Sequence, residues 1–213
     1  MVDIALFPIP SSVAFPGVPC PLHVFEPRYR KMVRHCVDRD MPMGVCHTEK
    51  VVHARESSQT REDILNSNQS TYKPRSVFSA GQVEILQELE DGRLLITMEP
   101  EGRFNLVEEK LTLPFSIWAC EELIDNDVDS DDRQALEECK AKILNRLITI
   151  THGQTAIQDQ LRSDYWQTMP ALPFSFAIAG RLSMDAELAQ HLLETTDTAY
   201  RLDTLLELLN RAA

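Results

Sequence analysis

Six of the twelve prolines in this chain fall at positions 8, 10, 16, 19, 21 and 27. A proline fixes φ, donates no N–H and breaks a helix interior, so the opening segment is restricted to short extended pieces, turns and sheet-edge positions. Ile4 to Ile9 is apolar and contains one of these prolines, which predicts an opening strand. From Glu26 the pattern changes. Pro27 suits a first helical turn, with Glu26 near its positive end. Tyr29, Met32, Val33, Cys36 and Val37 then recur at i, i+3, i+4, i+7 and i+8, the spacing of one helix face running toward Asp40.

Met43 to His47 predicts a strand. Glu49 to Arg75 is polar and poor in large apolar residues, which predicts a mobile loop with one helical turn around Ile64 and Leu65. Strands return at Val77. Val83, Ile85 and Leu86 lead into Glu90-Asp91-Gly92-Arg93 and then Leu94 to Met98, a hairpin signature. A further connection is predicted at Glu101-Gly102 before Phe104 to Val107, and Phe115 to Cys120 completes the series. Short strands joined by tight turns around one helix predict a partly closed barrel or curled sheet.

Glu121 to Asp132 holds seven acids in twelve residues and no base, the composition of a solvated join. It divides the chain into a β-rich part, 1–122, and a helical part, 123–213. In the second part Leu136, Cys139, Ile143, Leu147 and Ile150 mark one long amphipathic helix that Gly153 would end. Shorter helices are predicted near Asp159 to Thr168, Phe174 to Leu182 and Asp185 to Glu194. A last one runs from about Asp197 to Asn210, with Thr196 as N-cap and Leu202, Leu205, Leu206 and Leu209 inward. The fold class is α+β: a β-rich pseudo-barrel followed by a helical bundle.

Charge and cysteine use exclude several classes. With 33 acidic and 21 basic side chains in 213 residues the net charge is -12, which argues against a general nucleic-acid binder. The longest mostly apolar stretch, Leu172 to Ala179, is far below the ~20 residues that a membrane span needs. Met1-Val2-Asp3 lacks the basic start of a signal peptide. Five cysteines, an odd number without Cys-x-x-Cys, fit a reducing cytoplasm rather than a disulfide framework.

Two segments carry metal-ligand residue types. Cys20-x-x-His23, His35-Cys36 and Cys46-His47 gather zinc-ligand types, but adjacent strand residues point to opposite faces and the paired spacing of zinc sites is absent. From Asp127, acids fall at the first, third and fifth positions of an EF-hand loop with Glu138 at the twelfth, yet Asp132 stands where the loop requires glycine. No P-loop, Gly-x-Ser-x-Gly elbow, His-Glu-x-x-His or dinucleotide fingerprint occurs, so no cofactor is expected and no catalytic residue is assigned.

The most specific signal is the opening block: Leu6-Phe7-Pro8-Ile9-Pro10, Phe15-Pro16-Gly17, and Pro21-Leu22-His23-Val24-Phe25-Glu26-Pro27-Arg28-Tyr29. It resembles the N-terminal, substrate-binding domain of the Lon protease family. Gly81-Gln82-Val83 with Glu90 to Leu94 resembles that family's central hairpin, Gly102-Arg103-Phe104 its following strand, and Leu192 to Thr195 with Arg201-Leu202 its closing helices. The resemblance implies a PUA-like β half joined to a helical bundle, in a chain that ends where the family's ATPase and serine-lysine protease modules would follow. It therefore implies a non-catalytic, cytoplasmic module that binds unfolded or extended polypeptide, as an adaptor in protein quality control, without nucleic acid or membrane. Such a peptide would add to a sheet edge or lie between the two halves.

The candidate peptide-binding residues are Phe15, His23, Phe25, Glu26, Arg28, Tyr29 and Arg103. Each has a structural alternative. Glu26 and Tyr29 also suit a helix start, His23 a hydrogen-bonded strand histidine, the phenylalanines a core, and Arg103 an ion pair with the acidic run. Trp118 and Trp166 are expected to pack. Rival readings are a metal-dependent enzyme or small-ligand binder on the same barrel, and a homo-oligomer paired through sheet edges.

Overall fold

The computed structural model describes residues 1–53 and 71–211. The proline-rich opening forms β1 (Val2–Pro8), a turn region in which Ser11 and Gly17 take left-handed backbone (φ 57° and 73°), and β2 (Cys20–Val24). Helix α1 (Pro27–Arg39) follows, burying Tyr29, Met32, Val33 and Cys36; Val37, on the rim of the predicted face, is exposed. Asp40, left-handed at φ 52°, ends the helix.

Strand β3 (Met43–Cys46) lies parallel to β1, pairing Ala5 with Met43 and Pro8 with Cys46. Strands β4 (Thr48–His53) and β5 (Thr71–Pro74) pair with each other. The expected loop over 49–75 therefore has strand-forming ends, supplied by Val51-Val52 and Thr71-Tyr72; the turn predicted at Ile64 and Leu65 lies outside the described residues. The Arg75 N–H donates to the His47 carbonyl at 2.8 Å, so the chain leaves and re-enters the main sheet at adjacent points.

The main sheet is completed by β6 (Val77–Glu88), β7 (Leu94–Leu111) and β8 (Ile117–Glu122), in the order β2-β7-β6-β3-β1-β8, and β8 also pairs with β7. That last pairing closes the sheet into the pseudo-barrel. It is possible because β7 is 18 residues long: Leu94 to Met98 pairs with β2, and Phe104 to Leu111 with β8.

The connection expected at Glu101-Gly102 is instead a bulge inside this strand. Ala80 faces Gly102 and Gly81 faces Pro100, which leaves Glu101 as the extra residue. Gly81 is required there, since a Cβ would lie 1.7 Å from the Glu99 carbonyl oxygen.

Both faces of β1 are buried. Ile4 and Leu6 pack with Cys46, Phe78 and Cys120, while Ala5 joins Met32, Val33, Leu94, Ile96 and Met98 on the side that α1 covers.

The remaining helices are α2 (Ser130–Ile150), α3 (Thr155–Leu161), α4 (Asp164–Thr168), α5 (Ala171–Ala179), α6 (Ala186–Glu194) and α7 (Thr198–Arg211). The helix predicted near 159–168 is two, broken at Arg162 and Ser163. Helix α5 starts earlier than Phe174, because Pro173 sits in its first turn, where no N–H is needed. Asp197, not Thr196, caps α7: its Oδ1 accepts from the Ala199 and Tyr200 N–H groups at 2.8 and 3.2 Å.

Two compact units result, one of residues 1–123 with 184–194, the other of 124–183 with 195–213. In the second, Ile143, Leu147, Phe174, Leu202, Leu205 and Leu209 are buried. Among the described residues no helix is long and apolar enough to cross a membrane.

Candidate functional site

The strand–turn–helix opening brings three pieces of chain together around a cleft of about 280 Å³. Phe7 and Pro8 come from the end of β1, Ile9 and Pro10 from the turn after it, Leu22 and His23 from β2, and Phe25, Glu26, Arg28 and Tyr29 from the turn into α1. The Glu26 carbonyl accepts the first helical N–H groups, from Tyr29 at 3.1 Å and Arg30 at 3.0 Å. Its carboxylate does not cap the helix. It accepts a hydrogen bond from Arg28 Nε and pairs with Nη2, both at 3.0 Å. The Arg28 guanidinium lies over the Tyr29 ring, 4.5 Å from its centroid, and that ring packs against Phe7 at 4.2 Å. His23 and Phe25 meet edge-on at 6.3 Å.

The wall is thus aromatic and aliphatic, with one ion pair neutralised inside it. Such a surface takes apolar side chains and orients them through a few polar groups. Arg28 stacked on Tyr29 keeps its charge but spends its directionality on Glu26.

Five of the seven sequence candidates line this cleft: His23, Phe25, Glu26, Arg28 and Tyr29. His23 is exposed on β2 rather than tucked into a strand interior. Phe15 is elsewhere, buried at 4% exposure. Arg103 is 2% exposed and donates from Nη1 to the Leu193 carbonyl at 2.6 Å, fastening α6 to the barrel. Phe7, Ile9 and Leu22 belong to the cleft and were not singled out from sequence. The available signal was the two-residue strand period, which puts Phe7 and Ile9 on one face.

Metal-binding residue types do not converge. Among the described residues no group of three or more His, Cys, Asp or Glu is arranged to hold a metal ion. Burial pushes the thiols of Cys36, Cys46 and Cys120 up to about 12, and Cys139 up to about 11, which disfavours the free thiolate that a nucleophile requires. His47 is committed too. The Ser11 N–H donates to its Nδ1 at 3.0 Å, which leaves Nε2 to donate to Glu187 at 3.2 Å. In the helical unit Asp127, Asp132, Asp197 and Asp203 line a cavity of about 390 Å³ beside Cys139, again without a metal-binding arrangement.

Residues 3–211 match the family model of the ATP-dependent protease La (LON) substrate-binding domain. The chain belongs to that family. Two solved structures share this Lon-type fold. A Lon N-terminal domain protein from Xanthomonas campestris aligns with a TM-score of 0.61 at 20% identity, over 97% of this chain and 98% of that one. The N-terminal domain of Mycobacterium avium complex Lon protease aligns with a TM-score of 0.70 at 12% identity, over 99% and 100%. At these identities the likeness is one of architecture, and the cleft of this Lon-type domain has to be judged on its own residues.

Proposed function

We propose that this chain is a non-catalytic module that holds extended, apolar segments of other polypeptides, acting as an adaptor in protein quality control. The observation that carries the reading is the aromatic cleft built by the family's own opening block. Membership of a substrate-binding domain family supports polypeptide as the ligand class. The protonated thiols and the committed His47 favour binding over chemistry.

The test is fluorescence anisotropy with labelled, unfolded peptides on the protein and on Phe25→Ala. Phe25 is half-buried and lines the cleft outside the two barrel cores, so its removal should leave the melting temperature nearly unchanged. As an interface anchor it is expected to cost about 1–2 kcal/mol, roughly 5- to 30-fold in Kd. Equal binding by both proteins, or none by either, overturns the reading, as would turnover of casein.

A further inference from the structure

We propose that His47 is a pH-sensitive latch on the rim of the cleft, whose protonation releases the turn between β1 and β2. As regulation of the cleft this rests on the peptide-binding reading; the release of the turn does not.

The latch follows from what each ring nitrogen touches. A backbone N–H can only donate, so the Ser11 N–H at 3.0 Å fixes His47 Nδ1 as an unprotonated acceptor. The ring's own proton then sits on Nε2 and goes to Glu187 Oε1 at 3.2 Å. A second proton has one place to go, Nδ1, where it would meet the Ser11 N–H donor against donor. The Ser11 hydrogen bond and the charged imidazolium therefore exclude each other. The Glu187 contact responds in the opposite sense, because a charged donor strengthens its bond to a carboxylate. Acid thus takes His47 away from the turn and fastens it to α6.

The surroundings leave the choice to this one ring. From α6 it faces Glu187, whose carboxylate also receives Arg75, the residue after β5. On its own strand side Glu49 pairs with Lys73, and burial pushes the Cys46 thiol up to about 12. Residues 9–14, Ile-Pro-Ser-Ser-Val-Ala, carry no ionisable side chain that could answer the new charge. At 7% exposure, and anchored at Nε2, the ring cannot simply turn to water, so the turn has to give way.

The turn is poised to do so. Ser11 holds a left-handed backbone, φ 57°, which residues with a Cβ rarely adopt. Before it, the Ile9 N–H is bonded to the Cys46 carbonyl at 2.9 Å, and after it the Ser12 N–H reaches the Ile9 carbonyl at a longer 3.3 Å. Release therefore begins at Pro10, which lines the cleft. The closed turn binds one proton fewer than the open one, so lowering the pH favours opening, by up to about tenfold per pH unit.

The experiment is amide hydrogen exchange followed by NMR on the full chain, without peptide. Protection of the Ser11 amide, corrected for its intrinsic rate, is expected to fall about tenfold between about pH 7.5 and 5.5, the range in which histidine changes charge. The amides that pair β6 with β7 should keep theirs. In His47→Asn, whose Oδ1 can accept from Ser11 but does not titrate, Ser11 protection should stay level. Glu187→Gln removes the anion that favours the imidazolium and should move the fall to lower pH; it carries the test if His47→Asn does not fold. A labelled, capped peptide with leucines in a Ser/Thr background, free of ionisable side chains, should lose affinity over the same interval in the native protein and not in His47→Asn.

Ser11 protection that ignores pH, that falls equally in His47→Asn, or that falls together with the β6–β7 amides overturns the latch, as does a fall that Glu187→Gln leaves in place. A turn that opens with no change in peptide Kd overturns its control of the cleft. Absence of peptide binding at every pH overturns the binding reading and that control with it, while exchange still decides the latch.

Discussion

Among the described residues Arg201 is the largest fully buried side chain, at 0% exposure. Burial pulls its pKa below the ordinary arginine value, while the Asp125 carboxylate, 2.6 Å from Nη2, works in the opposite direction. The remaining donors are used as well: Nε reaches Ser175 Oγ at 2.8 Å, Nη1 the Thr195 carbonyl at 2.6 Å, and the guanidinium lies 4.0 Å from the centre of the Phe176 ring. A charge held this way is costly to orphan. Asp125→Ala is expected to destabilise the protein by about 3–5 kcal/mol, because it leaves a buried cation without its counter-charge. The double variant with Arg201→Met should recover part of that loss, and chemical denaturation of the three proteins measures both. Half of this arrangement was legible in the sequence. Arg201 falls in register with Leu202, Leu205 and Leu209 on the apolar face of α7, where a cation needs a partner. The partner itself is 76 residues away in the acidic run, where it reads as one solvated acid among seven.

At the scale of elements, α6 shows how a helix is assigned to a core by side chains that periodicity does not reveal. Its apolar face, Ala189, Leu192 and Leu193, is plain in the sequence. What it packs against is decided by Gln190 donating to the Val77 carbonyl at 2.9 Å, by Arg103 reaching the Leu193 carbonyl, and by Glu187 receiving His47 and Arg75. The hydrogen bonds from His47 and Arg75 hold the Glu187 carboxyl below its usual value of 4.5. A lowered folded-state pKa means that its contribution is fully present above the unfolded value and is lost as pH falls through the folded one. Native protein and Glu187→Gln should therefore differ in thermal stability near neutral pH, and the difference should shrink as pH is taken below about 4.5. A pH-independent difference would deny the linkage. Strand β7 runs unbroken through the expected turn for a related reason. A glycine between two apolar runs signals a turn, and only the partner strand, with Ala80 facing Gly102 and Gly81 facing Pro100, turns that signal into a bulge at Glu101.

For the molecule as a whole, the order of strand, prolines, strand and helix, the central hairpin and the late helices could be read locally, and the opening block carried the family. Closure of the sheet could not, because it depends on one strand serving β2 along its first part and β8 along its second. The cleft was legible where its residues are consecutive, from His23 to Tyr29, and hidden where β1 supplies the opposite wall.

The charge of -12 acts at this scale too. The ion pairs at the cleft are satisfied internally, so the long-range field comes from the rest of the surface. A peptide with flanking lysines is expected to associate faster at about 0.01 M than at about 0.15 M salt, where the screening length falls from ~30 to ~8 Å. Its dissociation rate should stay unchanged, and stopped-flow measurement separates the two.

The hydrogen bond from Arg75 to His47 has a practical consequence. It ties both ends of the segment between them to one spot on the barrel, so closing the loop is already accomplished by the scaffold. A tag or an epitope inserted between β4 and β5 is therefore expected to leave the barrel's register undisturbed.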